Sequence, residues 1–205
     1  MPKHDDLFLT FGKLILGVFM LLFLSKKILI LAFVIVGLAG GCAQHVDVSY
    51  KPANLSKGTG ELYVKTFEYL PAAVGDVGPD EAQQDKSGMA YTYLSENVDA
   101  LFTNAVKKDL AFSGYMVSDG SPHSVSGEIR RFSFDWVGMT GMRFEIAVSF
   151  VVTKNGKVVY SNVVESTQEA RKEGSKLEDP SKLIGLAMAD CIGRFIRDAQ
   201  KKGAL

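Results

Sequence analysis

The chain has 205 residues, of which 47% are hydrophobic, and its formal net charge is zero. The part that follows the apolar N-terminal segment is long enough for one domain with a single core, and too short for two ordinary domains. That part is slightly acidic, which excludes the basic footprint of a nucleic-acid-binding protein and a polybasic patch for anionic lipid. Only Cys42 and Cys191 could form a disulfide, so a disulfide scaffold is not expected.

The N-terminal segment has the order of a secretory signal. Lys26 and Lys27 precede an uninterrupted apolar run over 28–38, and small residues follow as far as Gly41. The run is too short to cross a bilayer as a helix, which needs about 20 apolar residues. A basic region, an apolar region and small residues in this order indicate export and cleavage.

The cysteine that follows the small residues resembles the lipobox of bacterial lipoproteins. In that motif a diacylglyceryl group is transferred to the thiol before the signal is cut. Leu is usual three places before the cysteine, whereas here Ala39 occupies that place and Leu38 lies one step further back. We therefore predict cleavage between Gly41 and Cys42 and lipidation of Cys42. The alternative is an uncleaved anchor with an incidental cysteine.

A second apolar stretch, over 7–24, lies upstream of the lysine pair. If translation begins at Met20, the signal has an ordinary length and residues 1–19 are not translated. The competing interpretation is a transmembrane helix over 7–24, which would form a membrane hairpin with the following apolar run.

The rest of the chain divides into two parts by composition. Residues 42–60 contain Pro52 and a Ser-Lys-Gly-Thr-Gly stretch, which favour an extended, lipidated tether that holds the domain away from the membrane. Residues 61–205 are predicted to form a single periplasmic α+β domain. Within it, a polar loop over 72–90 is long enough to be either mobile or functional.

Hydrophobic periodicity predicts the order strand, helix, three strands, helix. A phase slip at Arg130 and Arg131 predicts a β-bulge, and Asn155-Gly156 predicts a tight hairpin. Such an order favours a mostly antiparallel sheet of about four strands with two helices packed on one face. The predicted strands cover 61–70, 125–136, 142–153 and 158–166, and the predicted helices cover 93–112 and 180–200.

No motif in the chain carries recognisable chemistry. His123 lies in a turn sequence typical of solvated loops, and no cluster has metal-ligand spacing. Glu165 and Glu169 lack a matching acid or water site, and Cys191 lies on the apolar face of a predicted helix as a buried thiol. We therefore predict that the protein is not an enzyme and has no cofactor and no metal.

Aromatic residues offer the other candidate site. Phe132, Phe134 and Trp136 alternate along a predicted strand and are expected to fill the core. Tyr63, Phe67 and Tyr69 lie on the opposite parity of the first strand from its aliphatic residues. If no helix covers that face, these three residues form an exposed interaction patch near the tether.

This series of features resembles the YajG-type lipoproteins of Gram-negative bacteria over most of residues 42–200. The resemblance rests on the lipobox, the first strand and long loop, the helix that ends in the junction 110–117, the Asn-Gly hairpin and the closing helix. It implies an outer-membrane lipoprotein that faces the periplasm, and Ala43 after the cysteine fits sorting to that membrane. The family has no established catalytic residues to carry over.

Together these features predict a non-enzymatic, lipid-anchored envelope protein that binds a protein partner or helps to assemble a complex. The alternative is an auxiliary lipoprotein of an ABC-type lipid-transport system, whose small α+β domains look similar. The first function needs a flat patch or a free strand edge, whereas the second needs an apolar groove.

Overall fold

A computed structural model of the chain describes residues 42–53, 56–84, 90–137, 141–171 and 179–205. The predicted signal over 1–41, including the alternative start at Met20 and the cleavage residue Gly41, lies outside the described residues. In the described part, no helix is both long and apolar enough to cross a membrane.

The described residues contain eight strands and three helices. The first half of the chain supplies short elements, and the second half supplies three long strands and the longest helix. In chain order they are β1 (Cys42–Val46), β2 (Glu61–Val64), β3 (Glu68–Tyr69), α1 (Leu70–Ala73), β4 (Ala90–Leu94), α2 (Val98–Phe112), β5 (Met116–Val117), β6 (His123–Val137), β7 (Gly141–Lys154), β8 (Lys157–Arg171) and α3 (Pro180–Lys201).

The main sheet is mixed, with the strand order β5-β2-β6-β7-β8 and with β3 paired beside β6. Strands β6, β7 and β8 are antiparallel, whereas β2 and β3 run parallel to β6. Parallel strands need a long crossover, and the segment that contains α2 provides it between β3 and β6. The α+β class is confirmed, but the prediction of about four mostly antiparallel strands is wrong. Strands of two to five residues carry too little periodicity to be recognised in the sequence.

The long strands follow the sequence pattern closely. The predicted bulge is confirmed, because the β6–β7 register shifts between Ile129 and Arg131. The hairpin is also confirmed, since Asn155 and Gly156 have φ angles of 52° and 76°, the left-handed region that a tight hairpin turn needs. In α3, the Asp179 carboxylate accepts a hydrogen bond from the Ser181 backbone N–H at 2.9 Å, which caps the helix.

Both long helices pack on one face of the sheet, as predicted. The Phe150 ring of β7 stacks on Phe195 of α3 at 4.1 Å between centroids, and it also lies 6.1 Å from Phe102 of α2. Phe132 and Phe134 are almost fully buried in the same core. Neither of the two long helices that the structure describes covers the opposite face of β6, β7 and β8.

The predicted first strand and first helix have different limits in the structure. The strand divides into β2 and β3, because the backbone N–H of Phe67 turns away to donate to Thr103 Oγ1 of α2 at 3.0 Å. The last residue of the predicted strand, Leu70, begins the short helix α1, which has Pro71 in its first turn. The predicted helix start falls in β4 instead, and α2 begins only at Val98.

The predicted tether is largely part of the domain. Val46, Val48 and Tyr50 are each at most 7% exposed and belong to the core, and β1 pairs with β4. Residues 43–205 accordingly form one contact unit. The prediction of an extended linker over 42–60 is therefore wrong for its first half, since alternating apolar side chains there bury themselves against the domain.

Candidate functional site

The side of β6, β7 and β8 opposite the two long helices is a continuous surface of three paired strands. We call it the open face. The register of the three strands brings together short polar side chains, two valines and several charged side chains. Its members are Ser126, Glu128, Arg131, Ser133 and Asp135 on β6, Arg143, Glu145, Ala147, Ser149 and Val151 on β7, and Ser161, Val163, Glu165, Thr167 and Glu169 on β8.

An ion-pair network crosses the open face near one end of the strands. Glu145 accepts from Arg131 at 3.0 Å and from Arg143 at 2.9 Å, and Arg143 also lies 3.5 Å from Glu169. Exposed pairs of this kind contribute at most about 1 kcal/mol each to stability. Their ordered array of alternating charge instead provides a specific electrostatic pattern that a partner could complement.

A polar cleft of about 250 Å³ lies beside this network. Gln83, Gln84 and Asp135 line it together with residues of the network. The segment around Gln83 is held against β6 by two backbone hydrogen bonds, one to the Phe132 carbonyl at 2.8 Å and one from the Phe134 N–H at 2.9 Å. The cleft is a fixed feature of the open face that the polar side chains of a partner could fill.

The outer edge of β8 is partly protected against pairing with another strand. The Asn162 side-chain oxygen accepts from the Val163 backbone N–H at 3.0 Å, and Arg194 of α3 donates to the Glu165 carbonyl at 3.3 Å. Side chains that occupy edge groups in this way are a common means of preventing strand addition. Addition of another strand at this edge is therefore disfavoured.

The predicted interaction patch does not form. Phe67 is fully buried, with its ring edge-on to Phe102 and Phe150 at 5.2 and 5.5 Å, and Tyr69 is only 4% exposed. The prediction of an exposed patch of Tyr63, Phe67 and Tyr69 is therefore wrong for Phe67 and Tyr69. Phe67 packs against α2, whereas the Tyr69 ring lies edge-on to Phe132 of β6 at 6.2 Å and its hydroxyl donates to the Glu81 carbonyl at 3.0 Å. Tyr63 is half-buried.

The residues that were considered for chemistry are dispersed. Cys191 is fully buried, its Sγ lies 3.6 Å from the Val164 carbonyl, and burial raises the pKa of its thiol, which therefore stays protonated and unreactive. His123 hydrogen-bonds through Nε2 with the Ala204 carbonyl at 2.8 Å. Glu165 and Glu169 both lie on the open face and are exposed. No group of three potential metal ligands occurs among the residues described.

Two features of the structure were not predicted from the sequence. The network of Arg131, Arg143, Glu145 and Glu169 joins three strands, and its members could be assigned to the wet face by alternation but not paired with one another. The second feature is a buried hydrogen bond from the Tyr50 hydroxyl to Asp109 of α2, which fastens residues next to the predicted anchor to the core. No sequence signal linked these two positions, which are 59 residues apart.

Comparison with known proteins gives information about the fold alone. No protein-family model matches the chain, and no curated protein does so either. Among solved structures, protein XCC0632 from Xanthomonas campestris, of the DUF330 family, is similar with a TM-score of 0.55 and 12% identity, over 78% of this chain and 96% of that one. An uncharacterised protein is similar with a TM-score of 0.53 and 13% identity, over 76% and 99% of the two chains.

A minor lipoprotein from Acinetobacter baumannii is less similar, with a TM-score of 0.39 and 10% identity over 70% of this chain and 92% of that one. This similarity is too weak to define a common fold. The similarity to the DUF330 protein spans nearly its whole length and indicates a shared α+β fold. The resemblance to YajG-type lipoproteins stays a prediction, as do cleavage after Gly41 and lipidation of Cys42.

Proposed function

We propose that the protein is a non-enzymatic lipoprotein of the bacterial envelope, anchored through lipid on Cys42 in the outer membrane and facing the periplasm, where its open face binds a protein partner. The observation that carries the binding role is the open face itself. Three paired strands of about 15 residues span roughly 45 Å by 15 Å, an area of about 700 Å². One partner's share of a standard protein interface is about 800 Å².

The composition of the open face also fits protein binding. In its middle, Ala147 is 8% exposed between the longer side chains of Arg131 and Glu165, and the half-buried Ser149 lies next to it along β7. These side chains would give a partner both charged groups and small recesses to contact. Its charged end would orient that partner, because a mismatched charge pattern costs several kcal/mol. Val158 and Val163, at 63% and 41% exposure, extend the face with apolar area towards the hairpin end.

Anchoring is tested by replacing Cys42 with serine, which removes the thiol that accepts lipid but keeps the side-chain size. The wild-type chain is expected to fractionate with membranes as the cut, lipidated form. Cys42→Ser is expected to carry no lipid and to accumulate as the uncut precursor, with a higher apparent mass, because its apolar signal is retained. A Cys191→Ser variant is the matched control, since its buried thiol has no part in anchoring. If Cys42→Ser stays in the membrane at unchanged mass, the anchor is the 7–24 segment and the proposal fails.

Partner binding is tested by placing a photo-crosslinking amino acid at Ser149, in the middle of the open face, in cells of the native host. One discrete crosslinked protein is expected. The matched control is the same amino acid at Asn104, an exposed position on α2 away from the open face. Equal yields from the two positions would contradict a specific role for the open face.

The alternative function is that of an auxiliary lipoprotein of an ABC-type lipid-transport system. Native mass spectrometry of protein extracted from its own membrane distinguishes this function from the binding of a protein partner. Phospholipid that stays bound in a fixed ratio to Cys42-anchored protein, beyond the covalent lipid, would favour the transport role. A stoichiometric protein partner without phospholipid would favour the role proposed here.

A further inference from the structure

Three aromatic rings form a surface cluster on the small β1–β4 sheet. His45 and Tyr93 stack with their ring centroids 5.6 Å apart, and Tyr91 lies 6.4 Å from Tyr93. His45 is exposed, the side chain of Tyr91 is 53% exposed and Tyr93 is half-buried. We call these three residues the interface cluster. The open face, on which the proposed partner docks, does not include them.

The alternation of the two strands directs these rings to solvent. Val46 on β1, and Thr92 and Leu94 on β4, are buried, whereas the intervening residues point outwards. Aromatic rings on the solvent-exposed side of a two-stranded sheet contribute little to the folding stability of a protein in water. Tyrosine rings are, however, enriched where a bilayer meets water, because the apolar ring and the polar hydroxyl are both satisfied there.

The position of the interface cluster in the chain determines which surface it can reach. His45 follows Cys42 by three residues, a span of about 10 Å at most in an extended chain. The domain includes the chain from Ala43 onwards, and Val46 is 4% exposed. Only Ala43 and Gln44 separate His45 from the anchor position in the sequence. A lipid on Cys42 would therefore bring the cluster to the membrane surface.

From this placement we propose that the interface cluster inserts into the headgroup layer of the membrane that holds the lipid on Cys42, and so sets the orientation of the domain. This proposal rests on the anchoring proposed above. Such insertion reaches about 5–10 Å into the boundary between headgroups and acyl chains, a depth that two tyrosine side chains can attain while the sheet stays outside.

The charges around the interface cluster select the kind of lipid. Asp47 follows β1 and accepts from Ser95 Oγ at 3.1 Å, and Glu81 pairs with Tyr93 across a short backbone bridge. Glu81 is also the main cause that raises the pKa of the Tyr93 hydroxyl. Two carboxylates at the rim would repel anionic headgroups, so the lipids that the cluster accepts are zwitterionic, such as phosphatidylethanolamine.

The test measures ring depth in the lipidated full-length protein. Tyr91→Trp is introduced in a Trp136→Phe background, so that the introduced indole is the only tryptophan, and the protein is reconstituted into phosphatidylethanolamine–phosphatidylcholine vesicles that carry a headgroup-proximal spin label. Phe112→Trp in the same background is the control. Phe112 is 59% exposed and ends α2, about 21 Å from the helix start that follows β4.

Emission from the Tyr91→Trp protein is expected to shift to the blue and to lose several-fold more intensity to the quencher than emission from the Phe112→Trp protein. Equal quenching in protein that carries the lipid would overturn the insertion while leaving the anchor proposal intact. If the wild-type protein carries no lipid at all, the anchor proposal itself fails. Stronger quenching after addition of anionic phosphatidylglycerol would overturn the assignment to zwitterionic headgroups.

Discussion

A Gly127→Ala variant is expected to lose about 3 kcal/mol or more of folding free energy, the upper part of the range for overpacked cores. A Cβ at position 127 would lie 2.1 Å from the Ser149 carbonyl oxygen of β7 and 2.7 Å from the Phe67 ring. The carbonyl belongs to the backbone of a paired strand and the ring is fully buried between Phe102 and Phe150. Neither neighbour can move without separating β6 from β7 or opening the core.

Urea unfolding of the domain measures this loss through the midpoint at unchanged m-value. Gly185→Ala is the matched control. Gly185 lies in α3, its φ is not positive, and an added Cβ there would have no heavy atom within 4 Å. That variant is expected to gain about 0.5–1 kcal/mol from the helix preference of alanine. A Gly127→Ala midpoint within error of the parent would show that β6 and β7 are not packed as described.

Replacing Tyr50 with phenylalanine is expected to cost about 1–3 kcal/mol of folding free energy, the penalty for removing a hydrogen-bond partner from a buried polar group. The Tyr50 hydroxyl donates to Asp109, whose side chain is fully buried in α2, so that the variant leaves a buried carboxylate with one donor fewer. Tyr50→Ala is expected to cost about 3–5 kcal/mol, because it also removes a buried ring. An extended tether over 42–60 would instead make both variants neutral.

Thermal unfolding of the two variants, beside Tyr63→Phe as a control, distinguishes these outcomes. Tyr63 is half-buried, and its hydroxyl makes no hydrogen bond within the described part of the chain. Tyr63→Phe is therefore expected to stay within about 0.5 kcal/mol of the parent. A Tyr50→Phe variant as stable as Tyr63→Phe would contradict the attachment of this segment to the core.

Tyr50 is also expected to make the stability of the domain depend on pH. Burial, and then the hydrogen bond and charge of Asp109, raise the pKa of Tyr50 well above its ordinary value of 10.0. A raised pKa in the folded state means that the stability is fully present below pH of about 10 and is lost as the pH rises further, since the unfolded chain releases the proton first. Tyr50→Phe is expected to make this alkaline loss shallower.

The sequence alone determined the long antiparallel strands, the bulge after Ile129, the Asn155–Gly156 hairpin and the capped helix α3. Each depends on a local cause: a two-residue period, a phase slip, a residue tolerant of positive φ, or a carboxylate at a helix start. The predicted lipid attachment at Cys42 likewise follows from a local order of residues and needs no tertiary information. The open face was implicit in the same alternation, which placed Arg143 and Glu145 on the wet side of β7.

Only the tertiary structure decided how residues distant in the chain meet. The buried positions of Phe67 and Tyr69 depend on α2, β6 and the Glu81 segment, which are distant in the sequence. The exposed rings of Tyr91 and Tyr93 likewise lie beside His45 only because β4 pairs with β1. Residues 46–50 were included in the predicted linker because of Pro52 and the Ser-Lys-Gly-Thr-Gly stretch that follow them, yet Val46, Val48 and Tyr50 are buried because the domain offers apolar surface for these alternating side chains. Burial of a short segment depends on its neighbours in space, and a single sequence does not record those neighbours.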